Sequence, residues 1–246
     1  MNNKIQISAS IVLYKEDIQI LKSTVKSFLQ IPLRKKLFLI DNSPTNKLIK
    51  LFKHPEIEFV FNNKNIGFGK AHNKVLEKIN SDYHLILNPD VTFNPNVFNV
   101  LIKQFEKDKK ISMISPKVIS LNGETQFTCR KNPTIKEMIS RRIVVFKKNR
   151  KDPGLELSKP FYPEFIHGCF MLFKTPDFVK LKGFDERYFL YMEDADICRE
   201  IKQSGKEILY YPEVKITHIH RKGSSKKIKL LFYHILSAIK YFRKWK

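Results

Sequence analysis

Two carboxylates follow short apolar segments of the kind that form buried strands. Asp41 comes directly after the segment 36–40, and Asp90 comes three residues after the segment 83–87. A carboxylate at Asp41 can accept hydrogen bonds from a nucleobase N–H group or a ribose hydroxyl. One at Asp90 can bind a hard divalent cation that bridges the oxygens of a diphosphate. The alternatives are a helix-capping turn at Asp41 and a surface turn at Asp90.

The second half of the chain contains an acidic pair and two histidines that could complete such a site. Glu193 and Asp194 are adjacent in a chain with 46 Lys and Arg against 24 Asp and Glu. One of these carboxylates could take a proton from the hydroxyl group of an acceptor, and His218 or His220 could bind a metal ion. The alternatives are a helix N-terminus, whose dipole favours acids, and a solvated histidine pair.

A segment rich in asparagine and glycine lies between the first two carboxylates. Its residues run from Asn65 to Asn73, read NIGFGKAHN and include Gly67. Small residues let the backbone approach a ligand closely, and the exposed N–H groups of a helix N-terminus favour anions. The sequence therefore predicts a nucleotide-binding loop, with an ordinary loop-to-helix junction as the alternative.

Predicted strands and helices alternate between these clusters. Strands are predicted at 5–13, 36–40, 57–61, 83–87, 111–114, 165–174, 208–211 and 214–217, and a hairpin at 118–127. Helices are predicted at 18–29, 69–79, 95–108 and 189–204. This alternation implies right-handed crossovers, so we expect an α/β fold with a mainly parallel sheet and flanking helices. Ligands gather at the carboxyl ends of such strands, where Asp41 and Asp90 are expected to lie.

Composition narrows the class of protein and its compartment. The net charge of +22 attracts phosphates, nucleic acids or anionic lipid surfaces and does not choose among them. The three cysteines are far apart and odd in number, which argues against a disulfide framework. The first ten residues lack the apolar stretch of a secretory signal, and no apolar run reaches the roughly 18 residues that a spanning helix needs. We therefore expect a cytoplasmic protein, soluble or peripherally bound to a membrane.

The chain is expected to form a catalytic domain at 1–224 followed by a terminal helix. The segment 129–165 carries nine Lys or Arg between positions 130 and 151 and is interpreted as a basic insertion on the acceptor side of the site. The segment 225–246 keeps a helical apolar period with seven Lys or Arg and no acid, which predicts a basic amphipathic helix. That helix could bind a membrane surface, or it could pack on the domain with a solvated cationic face.

In order along the chain, these clusters resemble the glycosyltransferases of family 2, in particular their rhamnosyltransferase-like branch. The resemblance runs from about Ile7 to Trp245. Its most specific part is the stretch 167–172, HGCFML, together with the stretch 183–196, GFDERYFLYMEDAD. It implies a GT-A fold, a Rossmann-like arrangement in which Asp41 contacts the nucleoside and the Asn65–Asn73 loop lines the nucleotide pocket.

The resemblance also implies roles for the metal and catalytic residues. Asp90 matches the last acid of the family's metal-binding motif, for Mg²⁺ or Mn²⁺, and Asn88 stands where many members have a second Asp. Either His218 or His220 matches the later metal ligand. Asp194 is implied as the general base, with Glu193 beside it. Family members invert the anomeric centre by one displacement, so a single base suffices.

The resemblance further implies the partners of the protein. These are a nucleotide diphosphate sugar, with thymidine diphosphate rhamnose as the donor that the branch suggests, and a glycan or lipid-diphosphate-linked acceptor. An acceptor of that kind would place the protein at the cytoplasmic face of the inner membrane. The rival classes are a non-catalytic assembly partner with the same fold, a nucleotidyltransferase and a polyanion binder. The last has only the charge in its favour, because no nucleic-acid-binding motif is present, and we expect no nucleic-acid partner.

Overall fold

A computed structural model describes residues 5–136, 138, 156–219 and 228–246. The strands of the main sheet are β1 (Gln6–Leu13), β2 (Arg34–Asp41), β3 (Ile57–Phe61), β4 (Tyr83–Leu87), β5 (Val91–Phe93), β6 (Ile111–Ile119), β9 (Phe170–Lys174) and β10 (Glu207–His218). The strands β7 (Cys129–Arg130) and β8 (Phe165–Ile166) pair with each other as a small ribbon. The helices are α1 (Ile18–Leu29), α2 (Phe68–Asn73), α3 (Val97–Lys107), α4 (Thr175–Lys180), α5 (Glu193–Gln203) and α6 (Ile228–Lys244), with short 3-10 turns at Ile49–Leu51 and Leu76–Lys78.

The predicted parallel sheet is confirmed, with two strands reversed. The strand order is β3-β2-β1-β4-β9-β6-β10-β5. β9 runs antiparallel to both of its neighbours, and β5 runs antiparallel to β10 at the edge, so the other six strands share one direction. The parallel order β3-β2-β1-β4 aligns the carboxyl ends of β2 and β4, and this is where Asp41 and Asn88 follow.

Helices cover both faces of the sheet and bury its alternating side chains. On one face, β1 and β2 direct Ile7, Ala9, Ile11, Leu37 and Leu39 into a core shared with α1 and α3. On the opposite face, β4, β9 and β10 contact α4, α5 and α6 through a second core. Each fully buried aliphatic or aromatic side chain contributes on the order of 2 kcal/mol, so the two cores hold the strand ends that carry the site in fixed positions.

The boundaries of several elements differ from the prediction for local reasons. The helix predicted at 69–79 stops at Asn73 and becomes a 3-10 turn. The helix predicted from 189 begins at Glu193, because Tyr191 and Met192 have φ angles of 70° and 71°, in the left-handed region. The strand predicted at 165–174 is broken by a tight turn, in which the amide of Cys169 donates to the carbonyl of His167.

Two other predicted strand regions also differ. The hairpin predicted at 118–127 is reduced to one bridge between Ile119 and Thr125, with Gly123 in the left-handed region at φ 81°. The two strands predicted at 208–217 form one strand whose register shifts between Tyr211 and Lys215. The α4 helix and the short β5 strand were not predicted, since neither is long enough to show a period.

Candidate active site

A cleft opens at the carboxyl ends of β1, β2 and β4. It encloses about 820 Å³, which is within the range of small-molecule sites. Its walls bring together residues that are far apart in the sequence: Val12, Tyr14, Lys15, Glu16, Asn42, Asn65, Gly67, Phe68, Asn88, Pro89, Asp90, Phe189, Leu190, Lys229, Leu230 and Tyr233. Four of the predicted nucleotide-site residues, Asn65, Gly67, Asn88 and Asp90, are in this set.

Asparagine side chains hold one end of the cleft. The Asn42 amide donates to the carbonyl of Gly67 at 3.0 Å and accepts from the Asn62 amide at 2.8 Å. Asn65 accepts from the backbone N–H of Gly67 at 3.0 Å, which forms the turn that leads into α2. Gly67 has φ 98°, and a side chain there would meet the carbonyl oxygen of Phe189 at 2.5 Å. The glycine is therefore required by the close packing of two loops.

Asp41 lies behind the cleft rather than among its lining residues. It is fully buried, and its Oδ1 accepts from the backbone N–H of Ser43 at 2.8 Å. Its Oδ2 is buried without a hydrogen-bond partner among the described atoms. A buried carboxylate oxygen left without a donor is costly, so this atom is suited to a donor that arrives with a ligand.

The structure places Asn73 away from the lining of the cleft. Its side-chain amide donates to the carbonyl of Phe184 at 2.7 Å and accepts from the N–H of Phe184 at 2.9 Å. Gly183 fits against it with φ 68°, where a side chain would lie 2.2 Å from the Asn73 Oδ1 atom. Asn73 therefore joins α2 to the Gly183–Phe184 loop, and its side chain has a structural contact rather than a place in the cleft wall.

Asp90 and His218 meet at the edge of the cleft. The Asp90 Oδ1 atom lies 3.3 Å from the His218 Nε2 atom, and both side chains are more than four-fifths buried. β5 pairs with the end of β10, which sets His218 opposite Val91. The backbone N–H of Ile219 also donates to the carbonyl of Asp90 at 2.9 Å. His220 lies outside the described residues.

Gln126 fixes the ring of His218, a contact that the sequence analysis did not predict. The Gln126 Nε2 atom donates to the carbonyl of His218 at 2.8 Å, and this turns its Oε1 atom toward His218 Nδ1 at 2.9 Å. Because the amide oxygen only accepts, Nδ1 carries the proton, and in the neutral ring Nε2 is an acceptor that faces the Asp90 carboxylate. Two acceptors in this arrangement repel each other unless a proton or a cation lies between them.

Asp194 lies at the N-terminus of α5, one layer beyond the cleft. Its Oδ2 atom lies 3.2 Å from His167 Nδ1 and accepts from the Gly168 N–H at 3.3 Å, and its Oδ1 accepts from the Ala195 N–H at 2.8 Å. Burial alone raises the pKa of Asp194, but the hydrogen bond and charge of His167 and the two backbone donors outweigh it and lower the pKa below its ordinary value. Asp194 is therefore ionised at neutral pH.

Glu193 has the opposite character, although it is the next residue. Burial, and then the negative charge of Asp194, raise the pKa of Glu193 to about 8. Its Oε2 atom is buried without a partner among the described atoms. Glu193 is therefore a neutral acid at pH 7, which leaves Asp194 as the member of the pair that can accept a proton.

The segment from His167 to Cys169 connects the two carboxylate clusters. The Cys169 carbonyl accepts from the backbone N–H of Asn88 at 3.0 Å, while the Gly168 N–H donates to Asp194. A Cβ atom on Gly168 would lie 3.6 Å from Asp194 Cβ and 3.8 Å from a ring carbon of Phe68, a cleft residue. Because Gly168 has no side chain, only bare backbone separates Asp194 from the cleft wall.

The comparisons with known proteins identify the family of the chain. The family model for glycosyl transferase family 2 matches residues 8–178. The chain belongs to glycosyl transferase family 2. It is 28% identical over 187 residues to the rhamnosyltransferase WbbL of Escherichia coli K12, covering 71% of this chain and 69% of that protein. It is 21% identical over 224 residues to the N-acetylglucosaminyl-diphospho-decaprenol L-rhamnosyltransferase of Mycobacterium tuberculosis, covering 80% of this chain and 71% of that protein.

Solved structures show the same GT-A fold. GalNAc-T7 with UDP, GalNAc and Mn²⁺ superposes with a TM-score of 0.69 at 20% identity, over 91% of this chain and 45% of that chain. The mannosyltransferase PcManGT of Pyrobaculum calidifontis, with GDP-Man and Mn²⁺, superposes with a TM-score of 0.63 at 14% identity, over 95% of this chain and 64% of that chain. This family 2 chain thus spans less than two thirds of either structural neighbour.

Proposed function

We propose that this family 2 glycosyltransferase is a metal-dependent, inverting enzyme that transfers a hexose, with rhamnose as the first candidate, from a nucleoside diphosphate to a lipid-linked glycan acceptor. The observation that carries the proposal is the cleft itself. It sets the asparagine-held loop, Asp90 and two cationic side chains, Lys15 and Lys229, around one space, and Asp90 contacts His218 at the edge of that space. Cations that line a cleft suit a diphosphate, and amide groups suit a nucleoside.

The Asp90–His218 pair fits a divalent cation. A carboxylate oxygen and an imidazole nitrogen are both first-row metal ligands, and the imidazole favours Mn²⁺ over Mg²⁺, which prefers oxygen. Among the described residues no group of three or more His, Cys, Asp and Glu side chains forms a larger site, so the remaining ligands would come from diphosphate and water. The bound ion would neutralise charge on the departing diphosphate.

Asp194 is proposed as the general base. It would take the proton of the acceptor hydroxyl as that oxygen bonds to the anomeric carbon, and the electron pair of the broken C–O bond would leave on the diphosphate. One ionised carboxylate beside one neutral acid supports a single displacement with inversion. The rival family member, a non-catalytic assembly partner, would not need the base to be held ionised.

A donor screen tests the proposal. The purified chain is incubated with Mn²⁺ or Mg²⁺, a panel of UDP-, GDP- and dTDP-sugars and a lipid-diphosphate-linked sugar, and released nucleoside diphosphate is measured. We expect release from one donor, faster with Mn²⁺, and its loss in Asp90→Asn. The matched control is Asp82→Asn, a change at the opposite end of β4. Absence of release from every donor would favour the non-catalytic partner.

We also propose that the lipid-linked acceptor is met at an anionic membrane surface through α6. The inner side of this helix is fixed to the domain: Ser237 donates to the Leu190 carbonyl at 2.9 Å, and Lys244 contacts Asp196 at 2.7 Å and Glu200 at 2.6 Å. Its N-terminal turns supply Lys229, Leu230 and Tyr233 to the cleft wall. The helix therefore belongs to the site as well as to the core.

The outer side of α6 carries an apolar stripe in solvent. Ile228, Leu231, Phe232, Leu236 and Ile239 are each between 37% and 87% exposed. The helix contains no acid and its charged residues are all Lys or Arg, the pattern of helices that lie in a lipid interface. No described helix is long and apolar enough to cross a bilayer.

Vesicle binding tests the α6 surface separately from catalysis. We expect sedimentation with vesicles that contain phosphatidylglycerol, weaker binding to neutral vesicles, and at least a tenfold loss of affinity in the double variant Phe232→Ser and Ile239→Ser, because apolar burial is removed. The matched control is Ile49→Ser with Leu51→Ser, a similarly exposed pair elsewhere. Equal binding by all three proteins would exclude α6 as the docking surface.

A further inference from the structure

His167 and Arg130 form a chain of contacts that ends on Asp194. Arg130 lies on β7, and its Nε atom donates to His167 Nε2 at 3.2 Å. The other ring nitrogen, Nδ1, lies 3.2 Å from Asp194 Oδ2. The β7–β8 ribbon holds this chain, because Arg130 pairs with Phe165 two residues before His167. The backbone N–H of His167 is also fixed, by the carbonyl of Thr128 at 2.9 Å.

Arginine determines which nitrogen of His167 carries the proton. A guanidinium group can only donate, so the Nε2 atom must be the acceptor. The remaining proton is then on Nδ1, from which it is donated to Asp194. The Nδ1 N–H group of His167 therefore gives Asp194 a hydrogen bond whose direction Arg130 fixes.

The surroundings of Asp194 show what this hydrogen bond accomplishes. The carboxylate is more than four-fifths buried, a condition that by itself favours the neutral acid. Two backbone N–H groups and His167 are the donors that oppose it. The titratable and charged groups that face or influence Asp194 from the neighbouring elements are Glu193, Asp196, His167, Arg130, Cys169 and Cys198.

We infer that His167, oriented by Arg130, is a positioning residue that keeps the Asp194 carboxylate ionised and directed for proton transfer. The role as base rests on the proposed function, but the effect on ionisation does not. No substrate contact is required of His167 in this account. A ring that is about half exposed could instead meet the acceptor directly, and the variants below separate the two roles.

The matched variants are His167→Asn and His167→Ala. The side-chain amide of asparagine can place an N–H donor close to the position of Nδ1, whereas alanine has none. Arg130→Met removes the group that fixes the ring while keeping a long side chain. His54→Ala is the control, because His54 is an exposed histidine that pairs with Glu56 far from the site.

The first readout is the ionisation of Asp194, followed by NMR in protein with ¹³C-labelled aspartate carboxyls and assigned with Asp194→Asn. We expect the pKa of Asp194 to rise by about one pH unit in His167→Ala, as loss of a donor to a carboxylate does. The rise should be smaller in Arg130→Met, nearly absent in His167→Asn and absent in His54→Ala. An unchanged Asp194 titration in His167→Ala would overturn the inference, whether or not the protein proves to be a transferase.

The second readout is the pH profile of kcat/KM for transfer. In His167→Ala the acidic limb should move to higher pH by about the same amount as the Asp194 titration, so that activity falls more at pH 4 than at pH 8, and His167→Asn should restore most of it. An equal loss at both pH values, unrelieved by asparagine, would contradict the positioning role and support direct acceptor contact. If the NMR titration shifts but no transfer occurs in the unmodified chain, the proposed function fails while the positioning role stands.

Discussion

The molecule contains two pairs of histidine and aspartate at the two ends of its site, and they have opposite polarity. At the cleft edge, His218 presents Nε2 to Asp90, and its Nδ1 faces the side-chain amide oxygen of Gln126. At the helix terminus, His167 presents Nδ1 to Asp194, and its Nε2 accepts from Arg130. The neutral acceptor Gln126 directs the Nδ1 proton of His218 away from Asp90. The cationic donor Arg130 instead directs the Nδ1 proton of His167 toward Asp194.

This difference teaches why similar residues are suited to different chemistry. At Asp90 an acceptor nitrogen faces a carboxylate, and the contact requires a cation or an added proton. At Asp194 the hydrogen bond is already complete, so the carboxylate is ionised and available to accept a proton from elsewhere. Under the proposed function, the side chains behind the histidines, Gln126 and Arg130, would distinguish a metal ligand from a supported base.

The largest effect that would sharpen the comparison is expected at Asp194. The variant Asp194→Asn should lower kcat by 10²- to 10⁴-fold, roughly the contribution of a general base, while nucleotide and Mn²⁺ binding remain. Glu193→Gln should cost less than about tenfold, because Glu193 is already neutral at pH 7. Steady-state kinetics together with calorimetric binding of nucleoside diphosphate measures both. Near-normal turnover in Asp194→Asn would refute the base assignment.

A smaller effect is expected behind the metal pair. Gln126→Leu removes the acceptor that fixes the tautomer of His218, and it should weaken Mn²⁺ affinity by about 10- to 100-fold, as loss of a partner behind a metal-binding histidine does. Turnover at saturating Mn²⁺ should recover in large part. The shorter side chain in the conservative variant Gln126→Asn cannot make both contacts, so its Mn²⁺ affinity should lie between those of the unmodified chain and Gln126→Leu. A variant with unchanged Mn²⁺ affinity would break the parallel between Gln126 and Arg130.

The last expected effect is on stability rather than on activity or binding, and it distinguishes Glu193 from its neighbour. Because the pKa of Glu193 is raised to about 8 in the fold from an unfolded value near 4.5, the folded chain holds a proton that the unfolded chain loses. Between these values stability therefore falls as pH rises, by up to about 1.4 kcal/mol per pH unit. Glu193→Gln should remove that slope and raise the midpoint of thermal unfolding at pH 8. Identical pH profiles for both proteins would show that Glu193 is ionised.

Much of the sheet could be predicted from local sequence. The strands 57–61 and 83–87 and the helix 18–29 have the predicted bounds, since each is apolar or periodic and ends at a turn residue. The reversed direction of β9 could not be predicted, because the sequence predicted one continuous strand at 165–174 and gave no sign of the turn at His167–Cys169. That turn depends on contacts with Asn88 and Asp194 that are distant in the sequence.

The candidate site also contains some residues that could be predicted from the sequence and others that could not. Asp90, Asp194 and His218 could be found from their motifs, and the structure brings Asp90 together with His218. Gln126 could not be found in this way, because its partner His218 is 92 residues away and the residues around Gln126 form no recognisable motif. Arg130 was hidden among the many cations of the basic segment. The roles given to all of the candidate site residues stay predictions, and His220 lies outside the described residues.

The most direct test of the account is where Mn²⁺ binds. Titration of Mn²⁺ by electron paramagnetic resonance, with nucleoside diphosphate present, is made on the unmodified chain, on Asp90→Asn and on Asp194→Asn. The account predicts that the unmodified chain and Asp194→Asn bind Mn²⁺ alike, and that Asp90→Asn loses at least tenfold in affinity. Retained binding in Asp90→Asn, or loss in Asp194→Asn, would contradict the assignment of the two histidine–aspartate pairs.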